Sequence, residues 1–284
     1  MTDSDLPDTI IFRIRRLAPN RSDKPTWGEY PVSYSPGMTV LDGLWQIKER
    51  LDSTLAWRAS CRMGVCGSCG MFINGRPRLG CNTQIAELGT GLVTVAPLPN
   101  FPIVRDLVPD LRPMFDHHTA LSPYIIRPDS QEMERPTGEY YQSAEEMERY
   151  LQFSYCIKCA CCVAACPTCA TDSDYSGPMA LTQAHRYNTD TRDAGFDHRK
   201  EVLTDGAGPW RCHFAGECSR VCPKGVDPGK AIQLMKRQLV ADYLGLRQKA
   251  PLAQVNVKPE GIERRPDIPE PPEPTVQVEP DRLR

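Results

Sequence analysis

The sequence predicts an α+β chain: a small sheet-and-helix domain, then a mostly helical domain, then an extended tail. Three observations predict it. Strand-period and helix-period segments alternate as far as about Phe115. Capped helical patterns take over from Ser143. Thirteen cysteines gather at 61–81, 156–169 and 212–222, with a long gap after the first group.

In the first domain, Ile10, Phe12 and Ile14 alternate with Ile11, Arg13 and Arg15, the period of a strand with one mixed face. A second strand is expected over Trp27–Tyr34, closed off by Ser35-Pro36-Gly37. Thr39 can cap a helix with Asp42 three residues on, and Val40, Leu44, Ile47 and Leu51 fall on one face of it. A strand over Gly70–Asn74 should end at the Asn74-Gly75 turn, and Leu92–Val95 is a further short strand. Residues 97–138 are proline-rich and aperiodic, which predicts a connection lying over the surface. Ser143 with Glu146 makes a capping box, and helices are expected at about 144–160, 178–189 and 228–242. The last carries Ala231, Ile232, Leu234, Met235 and Leu239 in a helical pattern. After about Leu246, eight prolines between Pro251 and Pro280 predict an extended or disordered tail. The expected division is therefore 1–115, 116–245 and 246–284.

Composition narrows the function. A formal net charge of −2 over 284 residues gives no basic excess for nucleic acid. No apolar run approaches the roughly 18 residues that span a bilayer, and the polar, acidic Met1–Pro7 is no secretory signal. A reducing compartment follows as the expectation, and clustered cysteines there point to metal rather than to disulfides. The sequence has no Gly-x-Gly-x-x-Gly opening a helix, no P-loop and no His-x-x-x-His pair.

Cys61-x4-Cys66-x2-Cys69-x11-Cys81 has the plant-type ferredoxin spacing of a [2Fe–2S] cluster. Gly64, Gly67 and Gly70 are interleaved with the thiols, where they permit unusual φ angles and let N–H groups approach the cluster sulfurs. The alternative is a four-cysteine zinc site, which ordinarily pairs two Cys-x2-Cys units; here there is one.

Cys156-x2-Cys159-x2-Cys162-x3-Cys166-Pro167 is the bacterial ferredoxin run, in which the fourth cysteine ligates the other cluster of the pair. The third group reads Cys212-x2-Ala215-x2-Cys218-x3-Cys222-Pro223. The exchange rule gives Cys156, Cys159, Cys162 and Cys222 to a [4Fe–4S] cluster. It leaves Cys166, Cys212 and Cys218 for a second, and alanine cannot ligate iron. A [3Fe–4S] cluster with its missing corner at Ala215 is expected; the alternative is four irons with a non-cysteine ligand on one. Cys161 and Cys169 fall outside the spacing and are read as structural. His117, His118, His185 and His198 have no visible partner and are read as surface or packing residues. His213 follows a ligand of the three-iron site, where it can hydrogen-bond a redox partner or donate a proton.

The order of these runs resembles the iron–sulfur subunit of succinate dehydrogenase and fumarate reductase, respiratory complex II. The resemblance covers about 9–245 and is carried by SCRMGVCGSCG at 60–70, IVRDL at 103–107, CIKCACC at 156–162, Arg192-Asp193, RCH at 211–213 and VCPKG at 221–225. It implies an N-terminal β-grasp plant-type ferredoxin domain followed by an all-α bacterial-ferredoxin-like domain. It implies succinate:quinone oxidoreductase activity (EC 1.3.5.1), with succinate oxidised at the FAD of a flavoprotein partner. Electrons would pass through [2Fe–2S], [4Fe–4S] and [3Fe–4S] to a quinone at a membrane-anchor partner carrying haem b, on the cytoplasmic face of the inner membrane. His213 and Pro167 match the quinone vicinity. Ubiquinone-using members often carry a Trp pair shortly after that proline; Thr168-Cys169-Ala170-Thr171 has none, so menaquinone is the expected acceptor. The rival readings are a quinol:fumarate reductase of the same design and a soluble multi-cluster electron carrier.

Overall fold

A computed structural model describes residues 6–17, 24–89, 91–135, 137–247 and 251–256. By contacts these fall into two units. One holds Met1–Pro128 and Gln142–Ala253; the other holds the described residues of Asp129–Tyr141 and Gln254–Arg284. Most of the predicted proline-rich tail lies outside the described residues.

In the larger unit, strands β1 (Thr9–Arg16), β2 (Thr26–Ser33), β3 (Gly70–Ile73), β4 (Arg76–Leu79) and β5 (Leu92–Ala96) form one sheet in the order β2-β1-β5-β3-β4. β1 and β5 are parallel, and the other neighbours are antiparallel. The alternation read in β1 is the burial pattern: Ile10, Phe12 and Ile14 are fully buried. Helix α1 (Val40–Arg50) lies across that face, its Gly43 too close to the Phe12 ring to admit a side chain. Its capping box is formed, with Thr39 Oγ1 accepting from Asp42 N and Asp42 Oδ2 from Thr39 N. Val40, Leu44 and Ile47 are buried as expected, but Leu51 is the C-cap and half exposed, because the helix has ended there. Asn74 and Gly75 both take positive φ (43° and 77°) in the tight turn from β3 to β4. A short α2 (Ile85–Leu88) leads into β5.

Residues 97–138 depart from the surface connection expected of them. They hold β6 (Ile103–Arg105), β7 (Val108–Pro109), α3 (Arg112–Ala120) and, in the smaller unit, α4 (Ser130–Glu134). Leu98, Leu107, Met114 and Leu121 are buried. Their apolar positions are spaced by the folded surfaces they meet rather than by a local period. The smaller unit also pairs β8 (Glu139–Tyr140) with β9 (Val255–Asn256).

The rest is helical: α5 (Ala144–Ser154), α6 (Cys161–Ala164), α7 (Pro167–Thr171), α8 (Gly177–Asn188), α9 (Phe196–Thr204), α10 (Glu217–Arg220) and α11 (Pro228–Tyr243). The Ser143–Glu146 box caps α5. That helix stops at Ser154 rather than running to 160, because Lys158 and Ala160 take positive φ (54° and 69°), which no α-helix continues through. In α11, Ala231, Ile232, Met235 and Leu239 are buried, and Leu234 packs partly buried beside them. The sheet half has one continuous apolar cluster, whereas the helical half divides its core into three. The α+β class, a sheet domain ahead of a helical one, is as the sequence predicts. Among the described residues no helix is long and apolar enough to cross a membrane.

Candidate metal centres

The first thiol group is built on the loop between α1 and β3. Cys61, Cys66 and Cys69 lie on it, and Cys81 returns on the turn 80–82 after β4. The N–H groups of Met63, Val65 and Cys66 donate to Cys61 Sγ at 3.4, 3.4 and 3.3 Å, and that of Cys81 donates to Cys69 Sγ at 3.4 Å. The Met63 donor first, then that of Val65, holds the Cys61 thiol down at about 6. Burial pushes the Cys69 thiol up to about 12, with Cys81 and Cys66 bearing on it. Gly64 and Gly67 take positive φ (70° and 75°), and the left-handed Arg62 (58°) joins them in aiming backbone donors inward.

Gly67 also marks a close approach. A Cβ there would lie 2.9 Å from Cys159 Cα and Cβ and from Ile157 O, and one on Gly70 would lie 2.8 Å from Cys159 O. The first thiol loop therefore presses backbone to backbone on the second.

The second and third groups share one backbone design. Lys158 and Phe214 take positive φ (54° and 57°), and so do Ala160 and Gly216 (69° and 76°). Each pair precedes a one-turn helix, α6 or α10. Cys156, Cys159, Cys162 and Cys222 line one small cavity. Burial pushes the Cys156 thiol up to about 11, with Cys159 and Cys222 bearing on it. Cys166, Cys212 and Cys218 line a second small cavity with Ala215, Pro167 and His213. Burial pushes Cys218 up to about 11, and Cys166 and Cys212 bear on it. Cys222 thus stands with the second group and Cys166 with the third. The N–H of Phe214 donates to Cys212 Sγ at 3.4 Å, and His213 is exposed.

The thiols outside the spacing are not isolated. Cys161 is fully buried, and its hydrogen bond to Cys159 holds that thiol down at about 7. The Cys169 thiol hydrogen-bonds Cys166 and holds it at about 6. Of the histidines, His118 and His185 are buried, and burial lowers each to about 4. His198 bonds Ser122 Oγ and His117 bonds Ser173 O.

Three supports were not singled out as functional from the sequence. Asp106, 2% exposed, accepts from Arg16 Nε, Leu17 N and Ala56 N, which ties the stretch entering the first thiol loop to the sheet. Asn100 Nδ2 donates to Val163 O, Ala164 O and Cys166 O, fixing the second loop from the first half of the chain. The buried pair Asp193–Arg199 ties α9 to residues 122–126. The IVRDL run and Arg192-Asp193 contained the first and third of these signals; nothing local marks Asn100 or Tyr175, which lines the three-thiol cavity.

Among the described residues no three Cys, His, Asp or Glu side chains are disposed for a single metal ion. The thiols of the second and third groups ring cavities instead, backbone donors are aimed at sulfurs of the first and third groups, and this donor set suits iron–sulfur clusters. Fold and site together define a multi-cluster iron–sulfur electron-transfer protein.

Residues 11–116 match the model of a 2Fe-2S iron-sulfur cluster binding domain, and 152–226 that of a 4Fe-4S dicluster domain. These matches remove the zinc alternative. The fumarate reductase iron-sulfur subunit of Mycobacterium tuberculosis is 45% identical over 81% of this chain and 92% of its own length. That of Escherichia coli O157:H7 is 42% identical over 83% and 95%. The mitochondrial succinate dehydrogenase [ubiquinone] iron-sulfur subunit of Candida glabrata is 37% identical over 85% and 95%. A chain of the Mycobacterium smegmatis Sdh1 complex in the apo form superposes with a TM-score of 0.71 at 29% identity, covering 83% of this chain and 96% of that one. The chain belongs to the family of iron–sulfur subunits of succinate dehydrogenase and fumarate reductase.

Proposed function

We propose that this chain is the relay of a succinate:quinone oxidoreductase, working between an FAD-bearing flavoprotein partner and a menaquinone at a membrane-anchor partner. The observation that carries the reading is the exchange of Cys166 and Cys222 between two cavities, beside a first thiol loop in backbone contact with the second. When bound, the clusters supply one-electron carriage from one end of this row to the other. Cys61, Cys66, Cys69 and Cys81 hold the [2Fe–2S] cluster; Cys156, Cys159, Cys162 and Cys222 the [4Fe–4S] cluster; Cys166, Cys212 and Cys218 the [3Fe–4S] cluster. The backbone donors at Cys61, Cys69 and Cys212 stabilise the more negative, reduced state. Gly67 and Gly70 set the spacing of the first two sites by admitting the Cys159 backbone. His213 and Pro167, on the wall of the three-thiol cavity, stand in the quinone vicinity, and the His213 ring is exposed. Trp210 and Phe214, both exposed, flank Cys212 and offer apolar surface to the anchor, which would place the chain peripherally on the cytoplasmic face of the inner membrane. The division at about residue 115 separates the two ferredoxin types.

The test is the EPR spectrum of the native complex, air-oxidised and then reduced with succinate or dithionite. The expected result is an oxidised three-iron signal and a [2Fe–2S] signal that succinate alone raises. A reduced four-iron signal with no three-iron species overturns the Ala215 assignment. Ala215→Cys should convert the three-iron centre to four irons.

A second reading, quinol:fumarate reductase, is favoured by the names of the Mycobacterium tuberculosis and Escherichia coli relatives. Relative rates of succinate oxidation and fumarate reduction by the purified complex, with menaquinone and ubiquinone analogues, decide between the directions and the quinones.

A further inference from the structure

Tyr175 stands at the wall of the three-thiol cavity. Its ring is 2% exposed and packs in the core of Leu181, Ile232 and Met235, against the half-buried Cys166, Cys169 and Cys212. Its hydroxyl is buried and makes no hydrogen bond of ordinary geometry. Leaving a buried hydroxyl unpaired is costly, so a partner absent from the protein chain itself is the economical explanation. The thiol that bears on it most is Cys212, followed by Cys166 and Cys169. The backbone holds it in place: Ser176 N and Oγ both donate to Ala207 O at 2.9 Å, and the left-handed Gly177 (φ 81°) then starts α8.

We propose that the Tyr175 hydroxyl donates a hydrogen bond into the three-thiol centre, to Cys212 Sγ or a cluster sulfide, and thereby raises the reduction potential of that centre. The inference rests on the [3Fe–4S] reading above. A donor stabilises the reduced state more than the oxidised one, because reduction adds negative charge to the sulfurs. Tyr175 is a positioning and tuning residue and transfers no electron or proton itself. It would set how readily the last centre of the row accepts an electron.

The test is an EPR-monitored redox titration of the complete complex carrying Tyr175→Phe, which keeps the ring and removes the donor. The expected result is a fall of about tenfold in the equilibrium constant for one-electron reduction, about 59 mV, with the other two centres unmoved. An intact three-iron signal at unchanged potential overturns the inference. Should that variant fail to assemble, 3-fluorotyrosine placed at 175 keeps shape and donor while making the phenol more acidic. The potential should then rise, and no shift overturns the inference. Absence of any three-iron signal in the wild-type complex is the separate result that removes the underlying cluster reading.

Discussion

The loops 156–166 and 212–222 have the same backbone and different contents. Both turn through two left-handed residues, both run into a one-turn helix, and both end at a cysteine followed by proline. They differ at the position that is Cys159 in the first and Ala215 in the second. They differ also in cover: Gly67 and Gly70 press on Cys159, whereas His213, Phe214 and Ala215 are exposed. The cage geometry is a backbone property shared by the two loops, while the number of thiolates offered depends on one side chain. The loop that lacks a thiol is the one left open to a partner.

Making the second loop like the third breaks the comparison most severely. Cys159→Ala is expected to abolish the reduced four-iron EPR signal and bring quinone reduction by the complex to background. A wild-type signal and rate would refute the ligand assignment.

The connection between the loops depends on one buried ion pair. Arg199, fully buried, donates to Asp193 Oδ1 and Oδ2 at 2.7 and 2.9 Å and to the carbonyls of Ser122 and Tyr124. Arg199→Ala leaves Asp193 charged and dry, which should cost about 3–5 kcal/mol. Urea unfolding at neutral pH reads this directly.

A smaller effect comes from His185 on α8. Burial, with Lys230 adding to it, holds this ring at about 4 against 6.5 in the unfolded chain. Its folded value is depressed, so its contribution to stability is complete above about pH 6.5 and is lost as pH falls towards 4. The slope is at most about 1.4 kcal/mol per pH unit. Unfolding midpoints of the wild type and His185→Gln at pH 7 and 5 should diverge by that dependence.

The smallest change tests the shared backbone. A Cβ on Gly216 meets nothing within 4 Å, so Gly216→Ala costs only its left-handed φ of 76°, about 1–2 kcal/mol. Thermal unfolding of the complex measures it, and no loss would mean the loop relaxes freely.

How legible these features were depends on the range of the interaction that makes them. The capping boxes at Thr39 and Ser143 and the Asn74-Gly75 turn were readable because each is completed within four residues. The end of α5 was not, because the left-handed turns at Lys158 and Ala160 serve the thiol cavity rather than the helix. Helix α3 was missed because Met114 and Leu121 follow the surfaces they pack on. His185 and His118 gave no sign of their depth, since the burial comes from elements distant in sequence.

By itself the sequence determined the family and the three thiol groups, and it led to the proposed exchange of Cys166 with Cys222 and the proposed missing ligand at Ala215. Thiolate spacing is fixed by the rise of a few residues, so it survives without knowledge of the rest of the fold. Only the tertiary structure decided what supports those groups. Asp106 reaches Arg16, Asn100 reaches Cys166 O, Gly67 admits the Cys159 backbone, and the Tyr175 hydroxyl is buried at the three-thiol wall. Each of these joins residues far apart in the chain, and such a contact has no period for a sequence to display. It exists once the intervening elements have packed.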